Sequence, residues 1–318
     1  MIYDISHLTR YAYAADVPFT RCHLHVLPAS RPGQRVIDAR LSIDPTPSEQ
    51  AEHVDFYGNR AHHVSIDVPH RALTLRAHSA LEVARPAPPS AGETPAWEAV
   101  RDEALGDSAV VAAAGAAPLP VHFMFASRLV RFHPGIADWA RASFPPGRPC
   151  LEAATELMHR LHAEFEYDPT ATDMATPLAE AFANRRGVCQ DFAHVLIAAL
   201  RDVEVPAAYV SGFLRTLPPP GQAQLQGVDA THAWVAVWCG ASVGWVGLDP
   251  TNDMIVADMH IELALGRDYA DVAPVDGVVI AAGGHELSVA VDVVARVAAA
   301  SAQTEAPERA QAPGREGG

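Results

Sequence analysis

Three residues in the C-terminal half have the types that nucleophilic acyl transfer requires. They are Cys189 in Gly187-Val188-Cys189-Gln190-Asp191-Phe192-Ala193-His194, His232 in Thr231-His232-Ala233-Trp234, and Asp249 in Leu248-Asp249-Pro250-Thr251. The reaction needs an attacking sulfur, a base, and a carboxylate that orients the imidazole. After Cys189 the apolar residues Phe192, Leu196, Ile197 and Leu200 recur at three- and four-residue intervals, which predicts an amphipathic helix ending near Arg201. Cys189 opens that helix, where unpaired N–H groups and the positive dipole end favour the reactive thiolate. Gly187 lets the chain turn sharply and leaves the sulfur uncovered.

The other two members need strands. Residues 231–238 alternate so that His232, Trp234, Ala236 and Trp238 share one face. Trp245 to Asp249 reads as a short strand stopped by Pro250. A tight turn at Gly240-Ala241 would place His232 directly opposite Asp249. The backbone N–H of Cys189 is the natural first oxyanion donor, with Gln190 and Tyr167 as alternative second donors. Trp234 either walls the site or packs in the core. His194 lies five residues beyond Cys189, about 140° round the helix axis, and points elsewhere. Arg185 and Arg186 either act on the thiol by charge or form a solvated pair at a helix end.

The segments GVCQDFAH, VPAAYVSGFL, THAWVAVW, GWVGLDPTN and HIELALGRDYADVAPVDG resemble, in order and spacing, the bacterial transglutaminase-like (cysteine-protease-like) proteins. The first 86 residues look like that family's N-terminal β domain. The resemblance implies an α+β fold, in which an N-terminal β-sandwich precedes a papain-like core with the nucleophile helix packed on an antiparallel sheet bearing His and Asp. It also implies Cys189 as nucleophile, His232 as base and Asp249 as third member; Thr231 stands where the family commonly has Ser.

Composition narrows the setting. The chain has 318 residues, 49% of them hydrophobic, which is room for two domains with their own cores. A net charge of −15 argues against broad nucleic-acid binding, and no block of like charge suggests a membrane patch. All 23 basic residues are arginine, so a cross-linking enzyme of this sequence has no lysine of its own to act as amine acceptor. Met1 to Tyr13 reads as an alternating strand rather than a signal peptide, and no stretch is long and apolar enough to span a bilayer. These features predict a cytoplasmic protein. Cys22, Cys150 and Cys239 read as small core residues without C-x-x-C spacing.

Residues 1–86 contain strand candidates Ile2 to Ala14, Thr20 to Leu27, Arg35 to Ile43, His53 to Tyr57, Ala61 to Val68 and Ala72 to Ala84, a pattern that predicts the sandwich. His23 and His25 share a strand face, but no acidic partner or H-E-x-x-H accompanies them, so they read as surface or hydrogen-bonded histidines. Residues 87–120, rich in Ala, Pro and Gly, read as a linker with a short helix at Trp97 to Leu105, or alternatively as an excursion packed on the second domain. Residues 121–297 form the expected catalytic domain, including a helix over Leu151 to Phe165. Leu217 to Asp229 is the candidate gating loop, and residues 298–318 are expected to be a disordered tail. The charges of Gly266-Arg267-Asp268-Tyr269 read as a loop-fixing ion pair.

The functional expectation is a cysteine hydrolase acting on peptide or side-chain amides of a protein or peptide substrate. Without a D-x-D-x-D-G loop, no metal or other cofactor is expected. Amine transfer, a non-catalytic binding module of the same fold, and deglycosylation are the competing readings.

Overall fold

The computed structural model describes residues 1–106, 118–172, 176–216, 230–280 and 283–296. The expected gating loop and tail lie outside them.

Six strands open the chain: β1 (Ile2–Val17), β2 (Phe19–Leu24), β3 (Gln34–Asp44), β4 (Glu49–Val54), β5 (Arg60–Ile66) and β6 (His70–Val83). Five of the six expected strands are present close to their expected bounds, whereas the fourth, expected over His53 to Tyr57, lies earlier at Glu49–Val54 and residues 55–59 turn the chain; its exposed, polar sequence offers no apolar alternation to place it. They form a β-sandwich whose sheets meet around Leu24, Ile43, Val64, Ile66, Leu73 and Leu75. Two late strands complete it: β14 (Val275–Ile280) pairs with β2, and β15 (His285–Ala295) pairs with β1. The expected boundary at 297 assigned both to the catalytic domain. Their hydrogen bonds place them on the sandwich instead, a pairing across more than 250 residues that no local pattern reveals.

The second core is built on helix α5 (Cys189–Asp202). It is more than amphipathic, since every residue from Asp191 to Arg201 is buried. A helix apolar on all sides must be enclosed. Helix α3 (Cys150–Glu164), helix α2 (Pro134–Arg141) and the antiparallel sheet in the order β12 (Met254–Ile255), β11 (Trp245–Asp249), β10 (Ala230–Trp238), β9 (Ala207–Leu214), β13 (His260–Gly266) surround it. Buried Arg201 donates to the carbonyls of Phe123, Ala207 and Arg267, which ties the helix end to the flanking loops. Arg267 does form an ion pair, but with Asp271 at 2.8 Å rather than within the Gly266 to Tyr269 piece, and Asp268 instead accepts the Leu129 and Ala270 N–H groups.

Of the stretch expected as a linker, the described helix is packed, in line with the alternative of an excursion on the second domain. Helix α1 (Trp97–Gly106) buries Val100 and Ala104 in the catalytic core, and the Cys150 N–H donates to the Pro95 carbonyl at 2.8 Å. Burial of even one valine contributes about 1.5–3 kcal/mol, enough to hold this short helix down, while Pro86 to Ser90 ahead of it stay exposed. The sandwich docks on the five-stranded sheet through Tyr3, Leu81 and Val83 against Phe213, Ile261 and Leu263. No helix among the described residues is long and apolar enough to cross a membrane.

Candidate active site

Cys189 is the first residue of α5, as its sequence position predicts, and is half-buried. The turn into the helix is built by Asp191, whose Oδ2 accepts the Val188 N–H at 2.9 Å and the Thr172 hydroxyl at 2.6 Å. This carboxylate caps first-turn donors and strengthens the helix start. It also explains Gly187. A Cβ there would lie 2.6 Å from the Asp191 carboxylate, so the glycine is required for close approach rather than for an unusual turn. Arg185 and Arg186 are spent on ion pairs with Glu164 at 3.3 Å and Glu166 at 2.7 Å, which agrees with the solvated-pair reading. His194 is buried away from the thiol, its Nε2 accepting the Tyr269 N–H at 3.2 Å, and burial pushes it down to about 4.

His232 and Asp249 meet, but by a different register from the expected one. Residues 239–244 form a six-residue connection in which the Gly244 N–H donates to the Gly240 carbonyl, so Val235 faces Leu248, two residues off the register of a tight Gly240-Ala241 turn. Because side chains alternate with period two, a two-residue slip keeps both groups on one face. His232 Nε2–H donates to Asp249 Oδ2 over 2.8 Å, and the Cys189 thiol lies near enough to the imidazole to help raise its pKa. With Nε2 facing the carboxylate, Nδ1 is the nitrogen left for the sulfur.

Asp249 is fully buried and saturated with donors. Oδ1 accepts the N–H groups of Thr251 and Asn252, while Oδ2 accepts Asn252 Nδ2 at 2.7 Å and His260 Nε2 at 3.0 Å in addition to His232. Burial alone would raise its pKa, but the hydrogen bonds from His232 and His260 outweigh it and hold the carboxyl well below the usual range. The same balance acts on His232. Burial disfavours its charge, yet the hydrogen bonds and charges of Asp249 and Cys189 raise it to about 9.

His260 and Asn252 are the residues that sequence reasoning missed. His260 Nδ1 accepts the Ala257 N–H at 3.3 Å, which fixes the tautomer whose Nε2–H points at Asp249. It reaches the carboxylate although β10 and β9 lie between β11 and β13. Gly212 of β9 makes room, because a Cβ there would lie 2.4 Å from the Trp234 ring. Trp234 is 2% exposed and packs edge-on to His260 at 5.3 Å and tilted to His232 at 6.1 Å. It is therefore a floor beneath the two imidazoles and not a substrate-facing wall. Asn252 had a visible signal, since an Asn three residues after Asp249 suits an Asx-type turn. His260 had none, because no spacing relates it to residue 249.

Tyr167 lies on strand β7 (Glu166–Tyr167), paired in parallel with β8 (Arg186–Gly187), the segment that leads into Cys189. Its hydroxyl pKa is raised by burial and by the nearby Cys189 thiol, although the residue is half exposed. Gln190, half-buried, is the second residue of the helix. Cys22, Cys150 and Cys239 are free and buried, as expected of core residues. The ligand-type atoms of His232, Asp249 and His260 converge within 4.8 Å, but each is already used in the hydrogen bonds described.

Residues 3–82 match the bacterial transglutaminase-like N-terminal region, and residues 138–250, which contain Cys189, His232 and Asp249, match the transglutaminase-like superfamily core. A Mycobacterium tuberculosis protein, itself uncharacterized, is 36% identical over 299 residues, covering 92% of both chains. The chain belongs to the transglutaminase-like superfamily. A second uncharacterized relative, from Mycobacterium leprae, is 28% identical over 293 residues, 91% of this chain and 97% of that one. A crystal structure from Cytophaga hutchinsonii, described as a candidate cysteine protease, shares the fold with a TM-score of 0.68 at 19% identity, over 93% of this chain and 92% of that chain.

The His232 shift makes a prediction for this transglutaminase-like core. The folded pKa is raised from 6.5 to about 9, so the stability His232 contributes is complete below about pH 6.5 and is lost as pH rises through about 9. A shift of that size corresponds to stabilisation on the order of 3 kcal/mol. In urea unfolding, the difference between the parent and His232→Gln is expected to shrink between pH 6 and pH 10. A difference that stays constant across this range would refute the assignment.

Proposed function

We propose that this chain is a cysteine hydrolase that opens peptide or side-chain amides through a thioester on Cys189. The observation that carries the reading is the buried His232 ring, which is hydrogen-bonded to Asp249 at 2.8 Å and lies near enough to the Cys189 thiol at its helix start for the sulfur to help raise its pKa. The Cys189 sulfur attacks the amide carbonyl carbon, forming the C–S bond, while its proton is held on His232 Nδ1. The Cys189 N–H, in a first turn whose donors have no intrahelical acceptor, faces the developing oxyanion. Collapse of the intermediate breaks the C–N bond, and His232 delivers its proton to the leaving amine. Water then gives a proton to His232 Nδ1, attacks the thioester and releases the acid with the Cys189 thiol restored. Asp249 keeps the ring in the Nε2–H tautomer throughout and steadies its charge.

Water is favoured as acceptor because the sequence carries no calcium-loop signal of the kind that regulates cross-linking enzymes. Tyr167 and Gln190 remain the two candidates for the second donor.

The test is a glutamine-containing peptide incubated with and without a millimolar primary amine, products being resolved by mass spectrometry. The free acid is expected to dominate in both cases. An amine adduct exceeding the acid would reassign the chain to amine transfer. With no lysine in the chain, such an adduct cannot come from cross-linking to its own side chains.

A further inference from the structure

We propose that His23, His53 and His63 on the outer face of the sandwich form a binding site for a divalent transition metal of the zinc, nickel and copper group. The site is independent of the acyl-transfer reading. The three side chains come from three adjacent strands, β2, β4 and β5, of one sheet. His23 is directly opposite His63, and His53 lies two residues along β4 from Ala51, the partner of His63. Parity puts all three on the face opposite Cys22, Leu24, Val64 and Ile66, which fill the core.

The rings are gathered more tightly than chance surface histidines. His53 stacks on His63 at 4.6 Å with planes 8° apart, and His23 stacks on His63 at 4.7 Å. One nitrogen from each ring lies within 4.8 Å of the other two, and His23 Nε2 stands 3.3 Å from His53 Nε2. That separation is what two nitrogens share around a tetrahedral ion at about 2.0–2.1 Å, namely about 3.3–3.4 Å. Two imidazoles meeting Nε2 to Nε2 can share one proton at most, whereas a metal ion takes both lone pairs. His53 Nδ1 is buried without a partner, so no second hydrogen bond orients that ring for another purpose.

The donor set selects the ion. Three neutral imidazoles suit zinc, nickel or copper, while calcium and magnesium require oxygen. His63 is exposed, so the remaining coordination position opens to solvent. Behind the cluster, His25 packs edge-on to His23 at 4.7 Å and pairs with Asp55 at 3.2 Å. Asp55 in turn accepts the Asn59 N–H at 2.8 Å, and the Asn59 side chain bonds both backbone groups of Leu265 in the catalytic sheet. A bound ion would therefore pin three sandwich strands beside the turn that docks on the catalytic sheet.

The experiment titrates zinc sulfate into untagged full-length protein by calorimetry and records cobalt(II) absorption as a geometric readout. One zinc per chain is expected. Cys189→Ala is expected to bind it equally, which separates the cluster from the thiol site. His53→Ala with His63→Ala is expected to weaken binding about 100-fold or more and to abolish the intense tetrahedral cobalt bands. Without metal its melting temperature should match the parent's. If that double variant unfolds, His63→Asn at the exposed position reads the same cobalt signature. No saturable zinc binding to the parent, equal binding by the histidine variants, or loss of binding in Cys189→Ala would overturn the proposal.

Discussion

Cys189→Ala is expected to fold like the parent and to lose amide turnover by about 10^4-fold or more. Alanine is a good helix former, and the residue it replaces is half-buried at a helix start already capped by Asp191, so the fold has little to lose. The proposed chemistry has everything to lose, since its thioester would form on this sulfur. Cys189→Ser should not rescue, because a hydroxyl at the same place is a much weaker nucleophile than a thiol. Alkylation gives an independent readout. Cys22, Cys150 and Cys239 are buried, so iodoacetamide is expected to place one label per native parent chain and none on Cys189→Ala. A variant retaining a tenth of the parental rate, or a parent labelled first at another cysteine, would remove Cys189 from the mechanism.

Asp249→Asn carries the second large effect, on stability and rate together. The parental carboxylate accepts three side-chain donors on Oδ2 and two backbone N–H groups on Oδ1. Asparagine offers one acceptor oxygen, and its amide N–H groups must confront the donors left on the other side. Removing one member of a buried charged cluster costs about 3–5 kcal/mol, to be read from chemical denaturation. The rate is expected to fall on the order of 10^4-fold, because the His232 tautomer is no longer enforced. His232, whose pKa is raised to about 9 partly by this carboxylate, should titrate lower in the variant. His260→Gln is the informative companion, since its amide can still donate to Asp249. A mild phenotype there beside a severe one in Asp249→Asn would mark His260 as a positioning residue. Equal severity in both, with an unshifted His232 titration, would contradict the account.

Much of this was legible in the chain itself. The 3.6-residue stripe after Cys189, the alternation from Thr231 to Trp238 and the proline after Asp249 depend only on neighbours a few residues apart, so they placed the helix start and both strands. Five of the sandwich strands were legible for the same reason, while the polar, exposed β4 had no such periodicity and was placed too late. The His232–Asp249 pairing survived an incorrect turn because a slip of two residues leaves every side chain on its own face. Gly187 was recognised as necessary for the wrong cause; the close Asp191 carboxylate, not the turn, excludes a Cβ.

Only the tertiary structure decided what lies far apart in sequence. It brought His260 over Gly212 to share the Asp249 carboxylate, turned Trp234 into the floor beneath both imidazoles, and drew His53 and His63 beside His23. It also returned β14 and β15 to the sandwich and packed Thr94 and helix α1 onto the second core. Local periodicity fixes which face a residue presents. Which distant partner meets that face is set by strand order and by the burial gained when two surfaces close, and neither quantity is written in any single stretch of chain.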